Sequence, residues 1–200
     1  IDLSILPVGN TSSQNFFIYA GSLSSLKGSD KLYQLVYSFN KRYSVIIVGQ
    51  PNDDKSKMIF EQLKTVDNID LKGRLPHYDT VQLIANAKAL INTSDYEGFP
   101  NVFLEAWSMG VPVLSLNVNP GNVFNDRNLG RCFDGDLEKM KECIESNETI
   151  CNDKQKMVSY IKKSHDFSTA ADRFIKILNP SKLLSLFLHL EYYVSYIVIL

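Results

Sequence analysis

Cysteine is scarce in this sequence, and its scarcity argues against a disulfide-bonded framework and against a zinc site. The chain has three cysteines among 200 residues, which is an odd number and too few for the framework of a small disulfide-bonded secreted protein. No C-x₂-C pair occurs, so the sequence also disfavours a zinc site built from these thiols and His165. We therefore expect reduced thiols and a cytoplasmic protein.

Neither sign of charge is in excess. Lys and Arg total 21, Asp and Glu total 22, and the net charge is −1, so the chain lacks the basic surface of a nucleic-acid-binding protein. A hydrophobic content of 44% excludes a disordered polar chain. No G-x-G-x-x-G follows the first apolar run, which disfavours a dinucleotide-binding dehydrogenase.

The composition changes along the chain and divides it into three parts. The sequence opens with Ile1 rather than Met and has no charged-then-apolar signal segment, so we expect a piece of a longer protein. Residues 1–15, rich in Ser and Asn, are predicted to be a linker. Residues 16–178 are predicted to form one domain, and residues 179–200 an apolar helical tail.

Short apolar runs alternate with amphipathic stretches across the predicted domain, which is typical of βα units around a parallel sheet. The runs predict strands at 16–20, 44–48, 69–72, 89–92, 111–116 and 131–133. The amphipathic stretches predict helices at 30–40, 55–66, 80–87, 101–109, 137–145, 154–164 and 169–178. The predicted fold class is therefore α/β, with a Rossmann-like sheet flanked by helices.

The tail contains a continuous apolar segment. Fourteen of the 18 residues in 183–200 are apolar or Tyr, and a helix there would have a single polar edge. Three placements stay open: a helix docked on protein, an interfacial helix in contact with a membrane surface, and a membrane span. Glu191 in the middle of the segment disfavours the span, where it would cost on the order of 3 kcal/mol.

The most informative segment is residues 94–106, SDYEGFPNVFLEA. A predicted strand ends before it, and a helix is predicted to begin near Pro100, where a proline suits the first turn. This loop would lie at the carboxyl end of a parallel strand, where open α/β sheets bind ligands, and the helix amides would favour an anion. Glu97 and Glu105 can border the same cleft, and each carboxylate can accept two hydrogen bonds from a vicinal diol of a sugar.

This segment resembles the E-x₇-E signature of the retaining GT-B glycosyltransferases of family 4, also called group 1 glycosyltransferases. The resemblance spans about 16–178 and includes further landmarks in the family's order: Gly21-Ser22-Leu23, Lys27-Gly28, Val48-Gly49, Gly73-Arg74 and Gly110-Val111-Pro112-Val113. It implies one Rossmann-like half of a GT-B fold that binds a nucleotide-sugar donor, without a bound metal or other cofactor.

The resemblance also implies roles for individual residues. Glu105 would hold the ribose hydroxyls, Glu97 the hydroxyls of the donor hexose, and Lys27 the diphosphate, which makes Glu97 and Lys27 the catalytic pair. The remaining substrate-binding positions that it implies are Ser22, Arg74, Leu75, Gly98, Phe99, Asn101 and Val102. Lys27 follows the first predicted strand in a glycine-flanked loop, from which a cation can reach a phosphate. His77, His165 and Trp107 are predicted to be surface or packing residues.

Two departures from the family pattern affect the expected activity. Ser22 stands where the family commonly has arginine, so charge on the leaving diphosphate would be stabilised by Lys27 and backbone dipoles. In the family an acceptor domain precedes the donor domain, and we expect this chain to lack that domain and to be inactive alone.

We therefore expect the donor domain of an enzyme that transfers a hexose from a UDP-hexose or GDP-hexose, with retention, to a sugar, lipid or protein acceptor. A nucleotide-sugar epimerase or a phosphorylase-like GT-B enzyme is the alternative enzyme. A stand-alone nucleotide-binding module is the alternative that is not an enzyme.

Overall fold

The computed structural model describes residues 15–39, 42–146, 150 and 153–177. The strands are β1 (Phe16–Ala20), β2 (Ser44–Val48), β3 (Ile69–Gly73), β4 (Ala89–Asn92), β5 (Val113–Ser115) and β6 (Gly130–Cys132). The helices are α1 (Ser29–Ser38), α2 (Asp54–Leu63), α3 (His77–Asn86), α4 (Asn101–Ser108), α5 (Val123–Arg127), α6 (Leu137–Glu145), α7 (Lys154–Ser164) and α8 (Phe167–Ile177), with a 3₁₀ turn at Pro120–Asn122.

The six strands form one parallel sheet in the order β3-β2-β1-β4-β5-β6. Strands β2 and β3 extend the sheet to one side of β1, and strands β4, β5 and β6 extend it to the other side. Between β1 and β4 the winding direction therefore reverses, and such a reversal opens a crevice at the carboxyl ends of the strands. The predicted α/β class, with a Rossmann-like parallel sheet, is confirmed.

Each face of the sheet buries its own hydrophobic core, because alternate strand residues point to opposite faces. Phe17 and Tyr19 of β1 pack on the face that is covered by α1, α2 and α6. Phe16 and Ile18 pack on the other face, against α3, α4, α5 and α7. Trp107 of α4 is fully buried in this second core, as predicted, and its Nε1 donates a hydrogen bond to the Leu129 carbonyl oxygen at 2.7 Å.

Most element ends agree with the apolar pattern, but α3 begins three residues before the predicted start at Thr80. Pro76 is its N-cap, with an extended ψ, and the helix follows immediately. Because of this earlier start, His77 lies in the first turn of α3, at the carboxyl edge of the sheet. By contrast, β1, β2 and β4 have the predicted bounds.

The segment after β5, which the sequence predicts to be a loop, contains the 3₁₀ turn and the short helix α5. Asn122 and Asn128 flank α5 in the left-handed backbone region, which asparagine tolerates better than most residues. A single helical turn between two such residues is too short to give a clear helical periodicity in the sequence.

Two predicted segments lie outside the described residues. They are nearly all of the linker at 1–15 and the whole tail at 179–200, so the three-part division of the chain and the three placements of the apolar segment stay predictions. Among the helices that the structure describes, none has the length and hydropathy needed to cross a bilayer.

Candidate functional site

A cleft of about 530 Å³ lies at the carboxyl ends of β1 and β2, beside the start of α4. Its volume is within the range of about 300 to 1,000 Å³ that is usual for small-molecule sites. Its walls are formed by Ala20, Gly21, Ser22, Val48, Gly49, Gln50, Pro51, Asn52, Arg74, Leu75, Thr80, Asn101, Val102 and Glu105. The cleft therefore lies at the carboxyl edge of the sheet, between the ends of β1 and β2 and the helix that follows β4, next to the point where the winding reverses.

The floor of the cleft requires glycine at position 49. The Gly49 N–H donates to the Gly73 carbonyl oxygen at 2.7 Å, and a Cβ at Gly49 would lie 1.8 Å from the Gly21 carbonyl oxygen. The loops after β1 and β2 can therefore pack backbone against backbone only because residue 49 has no side chain. This close packing leaves room above the strand ends for a ligand.

The first turn of α4 supplies backbone donors to the cleft. Pro100 is the N-cap and makes no side-chain capping hydrogen bond, and Asn101 and Val102 line the cleft. Amides in a first helical turn have no acceptor within their own helix, and the helix dipole adds positive potential at this end. The start of α4 therefore favours an anionic group in the cleft.

Glu105 lies on the second turn of α4, and its carboxylate borders the same cleft. Its side chain is only 14% exposed, and its Oε1 lies 2.8 Å from His77 Nε2. His77 is on the surface, as predicted, with a 61% exposed side chain. This contact constrains the Glu105 carboxylate, although a carboxylate with two oxygens can still accept hydrogen bonds from a ligand.

A second polar centre forms where the loop 22–28 meets the end of β4. The Thr93 hydroxyl donates to the Lys27 carbonyl oxygen at 3.0 Å, and the Asp95 N–H donates to the Leu26 carbonyl oxygen at 3.2 Å. Gly28 has φ +63°, and a Cβ there would lie 2.0 Å from the Thr93 carbonyl oxygen. These contacts hold the loop against β4 and bring Lys27 next to Glu97.

Glu97 is surrounded by hydrogen-bond donors. Lys27 Nζ lies 2.5 Å from its Oε2, and Asn92 Nδ2 donates to its Oε1 at 3.0 Å. Burial is the largest influence and raises the pKa of Glu97, but the hydrogen bonds from Lys27, Ser94 and Asn92 outweigh it and hold this pKa below its ordinary value. Glu97 is therefore ionised at neutral pH.

Tyr19 lies behind this centre and supports the adjoining loop. Its hydroxyl donates to the Ser22 carbonyl oxygen at 3.0 Å. Burial, together with the negative charge of Glu97, raises the pKa of Tyr19, so the phenol is neutral. A neutral phenol can donate this hydrogen bond, which fixes the turn that leads from β1 into the cleft.

Phe99 points away from the cleft into an aromatic cluster. Its ring centroid lies 6.2 Å from that of Trp107 and 5.0 Å from that of His165. His165 therefore has a packing role, as predicted. These ring contacts tie the loop before α4 to the second hydrophobic core.

The structure places the ten predicted site residues in two neighbouring groups. Ser22, Arg74, Leu75, Asn101, Val102 and Glu105 line the cleft, whereas the described residues Lys27, Glu97, Gly98 and Phe99 lie outside its wall. Within the part of the chain that the structure describes, no three His, Cys, Asp or Glu side chains are grouped as a metal ion would require.

Sequence reasoning missed two residues that contact the predicted glutamates. His77 was assigned only a surface or packing role, although it follows a predicted strand and therefore lies at the same sheet edge as the cleft. Asn92 is the polar last residue of the otherwise apolar strand ALIN and is only 5% exposed. A buried polar residue at a strand's carboxyl end is a signal that could have found it.

Comparison with known proteins matches most of this chain to one family. The family model described as "Glycosyl transferases group 1" matches residues 7–171. The O-antigen chain mannosyltransferase B of Escherichia coli is 32% identical over 111 residues, which are 52% of this chain and 29% of that protein. The lipopolysaccharide 1,6-galactosyltransferase of Escherichia coli K12 is 27% identical over 124 residues, which are 59% of this chain and 34% of that protein. The chain thus spans about a third of the length of these relatives.

Solved structures match the same fold. HepE of Anabaena, solved in complex with UDP, is 16% identical with a TM-score of 0.72, and the match covers 90% of this chain and 56% of that one. The lipopolysaccharide outer core galactosyltransferase WaaB is 21% identical with a TM-score of 0.65, over 90% of this chain and 54% of that one. The parallel sheet with its flanking helices corresponds to one Rossmann-like half of a GT-B fold, and the chain belongs to the group 1 glycosyltransferase family.

Proposed function

We propose that this chain is the donor-binding domain of a glycosyltransferase that transfers a hexose, with retention, from a nucleoside diphosphate sugar. The observation that carries the proposal is the cleft wall itself, where the amide-bearing start of α4 and the Glu105 carboxylate lie one turn apart on the same helix. A nucleoside diphosphate has a diphosphate next to a ribose diol, so it carries the groups that these two features recognise.

The chemistry of the cleft supports this ligand in two places. The amides of Asn101 and Val102 favour the negative charge of the diphosphate. The Glu105 carboxylate, held by His77 on one oxygen, can accept hydrogen bonds from the ribose hydroxyls. The side chains of Arg74 and Leu75 form the wall that would lie along the base.

The second polar centre supports a sugar beyond the diphosphate. Glu97 is an ionised, half-buried acceptor, and the sugar hydroxyls would donate to it. Lys27 lies beside it and can turn toward the diphosphate, where a cation stabilises the charge that develops on the leaving group. We propose that these two residues contact the reacting end of the donor, and that the acceptor is a sugar, a lipid or a protein.

Relatives support the same class of donor. HepE of Anabaena has been solved with UDP and with UDP-glucose, and the latter structure has a TM-score of 0.71 to this chain. Two relatives are named as a mannosyltransferase and a galactosyltransferase, which are hexose-transferring enzymes. These names support a nucleoside diphosphate hexose as the donor without selecting the base or the sugar.

Calorimetric titration of the 200-residue chain tests the proposal. The probes are UDP, GDP and ADP, each alone and as a hexose conjugate, with the matching nucleoside and inorganic pyrophosphate as partial ligands. We expect one nucleoside diphosphate and its conjugate to bind, each more tightly than either partial ligand. Binding of pyrophosphate as tightly as the nucleoside diphosphate would instead indicate a simple anion site, and no binding of any nucleotide would contradict the proposal.

A further inference from the structure

Asn92 lies at the centre of a buried chain of hydrogen bonds that ends on Glu97. The Val118 N–H donates to Ser115 Oγ at 3.1 Å, and the Ser115 hydroxyl donates to Asn92 Oδ1 at 3.4 Å. Asn92 Nδ2 then donates to Glu97 Oε1 at 3.0 Å. Asn92 is 5% exposed and Ser115 is fully buried, so water does not compete for these contacts.

The donors and acceptors of this chain can be arranged in only one direction. Ser115 Oγ accepts the Val118 N–H, and its single hydrogen is directed to Asn92. The ionised Glu97 carboxylate can only accept hydrogen bonds, so the NH₂ group of Asn92 must face Glu97 and its amide oxygen faces the Ser115 hydroxyl. A flipped amide would place two acceptors against each other at Glu97. The Ser115 hydroxyl supports this orientation by donating its hydrogen to the Asn92 amide oxygen.

Asn92 and Lys27 hold different oxygens of Glu97 and differ in mobility. Asn92 ends β4 and pairs in register with Ser115 of β5, so its position is set by the sheet. Lys27 reaches Oε2 from a loop, through a flexible four-carbon side chain that is 33% exposed. A diphosphate that attracts Lys27 would weaken its contact with Glu97, whereas the contact from Asn92 would remain.

We propose that Asn92 is a positioning residue that holds the Glu97 carboxylate in place for the hydroxyls of the donor sugar. This inference rests on the proposed function, because it assigns Asn92 an effect on the sugar end of the donor alone. Asn92 lies outside the wall of the nucleotide cleft and acts through Glu97. Ser115 acts one step further back, by donating a hydrogen bond to the Asn92 amide oxygen.

Titration of Asn92→Asp in the full chain tests this assignment. The substitution keeps the shape of the side chain but replaces a donor with a second carboxylate facing Glu97. With UDP-glucose and GDP-mannose as probes, we expect the affinity for the conjugate that the wild type binds to fall by about tenfold, and the affinity for its nucleoside diphosphate to stay within about twofold. Asn86→Asp is the matched control, because Asn86 Nδ2 donates to the Gln82 carbonyl oxygen at the far end of α3.

The pH profile separates positioning from a general loss of structure. The titratable groups that face Glu97 are Lys27 and Tyr19, and the raised pKa of Tyr19 keeps its phenol neutral from about pH 5.5 to 8. In Asn92→Asp, two carboxylates would share this site and retain a proton more readily. We expect the loss of conjugate binding to shrink as the pH falls over this range, and a loss independent of pH would count against the proposal.

A double-mutant cycle and a measurement without ligand complete the test. Asn92→Ala should weaken conjugate binding in the wild type but have no further effect in Glu97→Ala, and additive losses would overturn the proposal.

Carboxyl carbon NMR, with Glu97→Gln to assign the signal, should show that Asn92→Ala raises the Glu97 titration midpoint. An unchanged midpoint would overturn it even if no nucleotide binds. Absence of nucleotide binding together with a raised midpoint would instead contradict only the proposed function. If Asn92→Asp does not fold, Ser115→Ala in the same titrations should give a smaller loss confined to the conjugate.

Discussion

Glu97 and Glu105 are eight positions apart in the sequence, and the structure gives them different neighbours. Glu105 borders the cleft beside the start of α4, and its carboxylate contacts His77. Glu97 lies outside the cleft wall, and both of its carboxylate oxygens contact protein donors. A ligand that fills only the cleft would therefore meet Glu105 first, and a longer ligand would be needed to reach Glu97.

Substitution of each glutamate by glutamine separates these two roles. Glu105→Gln should weaken binding of the nucleoside diphosphate and of its hexose conjugate alike, by about 1 to 3 kcal/mol for a lost charge-assisted hydrogen bond. Glu97→Gln should weaken only the conjugate. Calorimetric titration measures both, with the exposed Glu138→Gln on α6 as the control. Equal losses of nucleoside diphosphate affinity in the two variants would contradict the assignment.

Lys27 should affect the diphosphate rather than the nucleoside. Lys27→Met removes the charge, so we expect weaker binding of nucleoside diphosphate and unchanged binding of nucleoside. Because salt screens a half-exposed charge, the difference between wild type and variant should shrink as the salt concentration rises. Lys64→Met is the control, since Lys64 pairs with Glu61 on α2. If Lys27→Met weakened nucleoside binding as much as nucleoside diphosphate binding, the substitution would have displaced the loop 22–28.

At the scale of elements, the site depends on how the loop 22–28 docks on the end of β4. Gly28 is the residue that permits this contact, because its Cα faces the Thr93 carbonyl oxygen. Asp53, the N-cap of α2, also accepts a hydrogen bond from the Ser25 N–H at 2.8 Å. The loop that carries Lys27 is thus held by β4 on one side and by α2 on the other.

Alanine at Gly28 tests this docking, and alanine at Gly73 provides a matched control. Both glycines have φ +63°, but a Cβ at Gly73 meets no atom within 4 Å. Gly73→Ala should therefore cost only the left-handed strain, about 1 to 2 kcal/mol of unfolding free energy. Gly28→Ala should cost more, because the loop must also move away from Thr93. Denaturant unfolding measures the free energy of unfolding of both variants. Equal losses in the two variants would show that the loop 22–28 can move away from Thr93 without destabilising the fold.

The elements were largely predictable from sequence, whereas the contacts at the site were not. Apolar runs that end at Gly21 and Gly49 fixed the ends of β1 and β2, because periodicity and glycine are local signals. The E-x₇-E spacing likewise indicated a site after β4. The partners of the glutamates, His77 and Asn92, depend on which strands and helices become neighbours, and a single sequence does not encode that locally. The short helix α5 was missed because one turn has no periodicity.

At the scale of the whole molecule, the two cores on either side of the sheet keep the carboxyl ends of β1, β2 and β4 in fixed relative positions. The second core contains Trp107, which lies two residues after Glu105 and is fully buried, so the helix that carries Glu105 is anchored from behind. The donors of the site are therefore held by this framework, at the start of α4, in the loop 22–28 and at the end of β4. A framework of this kind holds the donors in place before a charged ligand binds, which favours its binding.

We expect this chain to bind the sugar donor without transferring its hexose to an acceptor. In the proposed function its residues bind a nucleotide sugar, but the chain spans only 29% and 34% of two relatives, and the group 1 resemblance implies an acceptor site outside this domain. We therefore expect the 200-residue chain to bind its donor and to release hexose only slowly, by hydrolysis. Chromatography of products from radiolabelled donor, with and without added sugar acceptors, measures both reactions. Glu97→Gln should reduce the slow hydrolysis further, because Glu97 contacts the sugar in the proposed complex. Rapid glycosyl transfer by this chain alone would contradict the expectation and indicate that the acceptor site lies within these 200 residues.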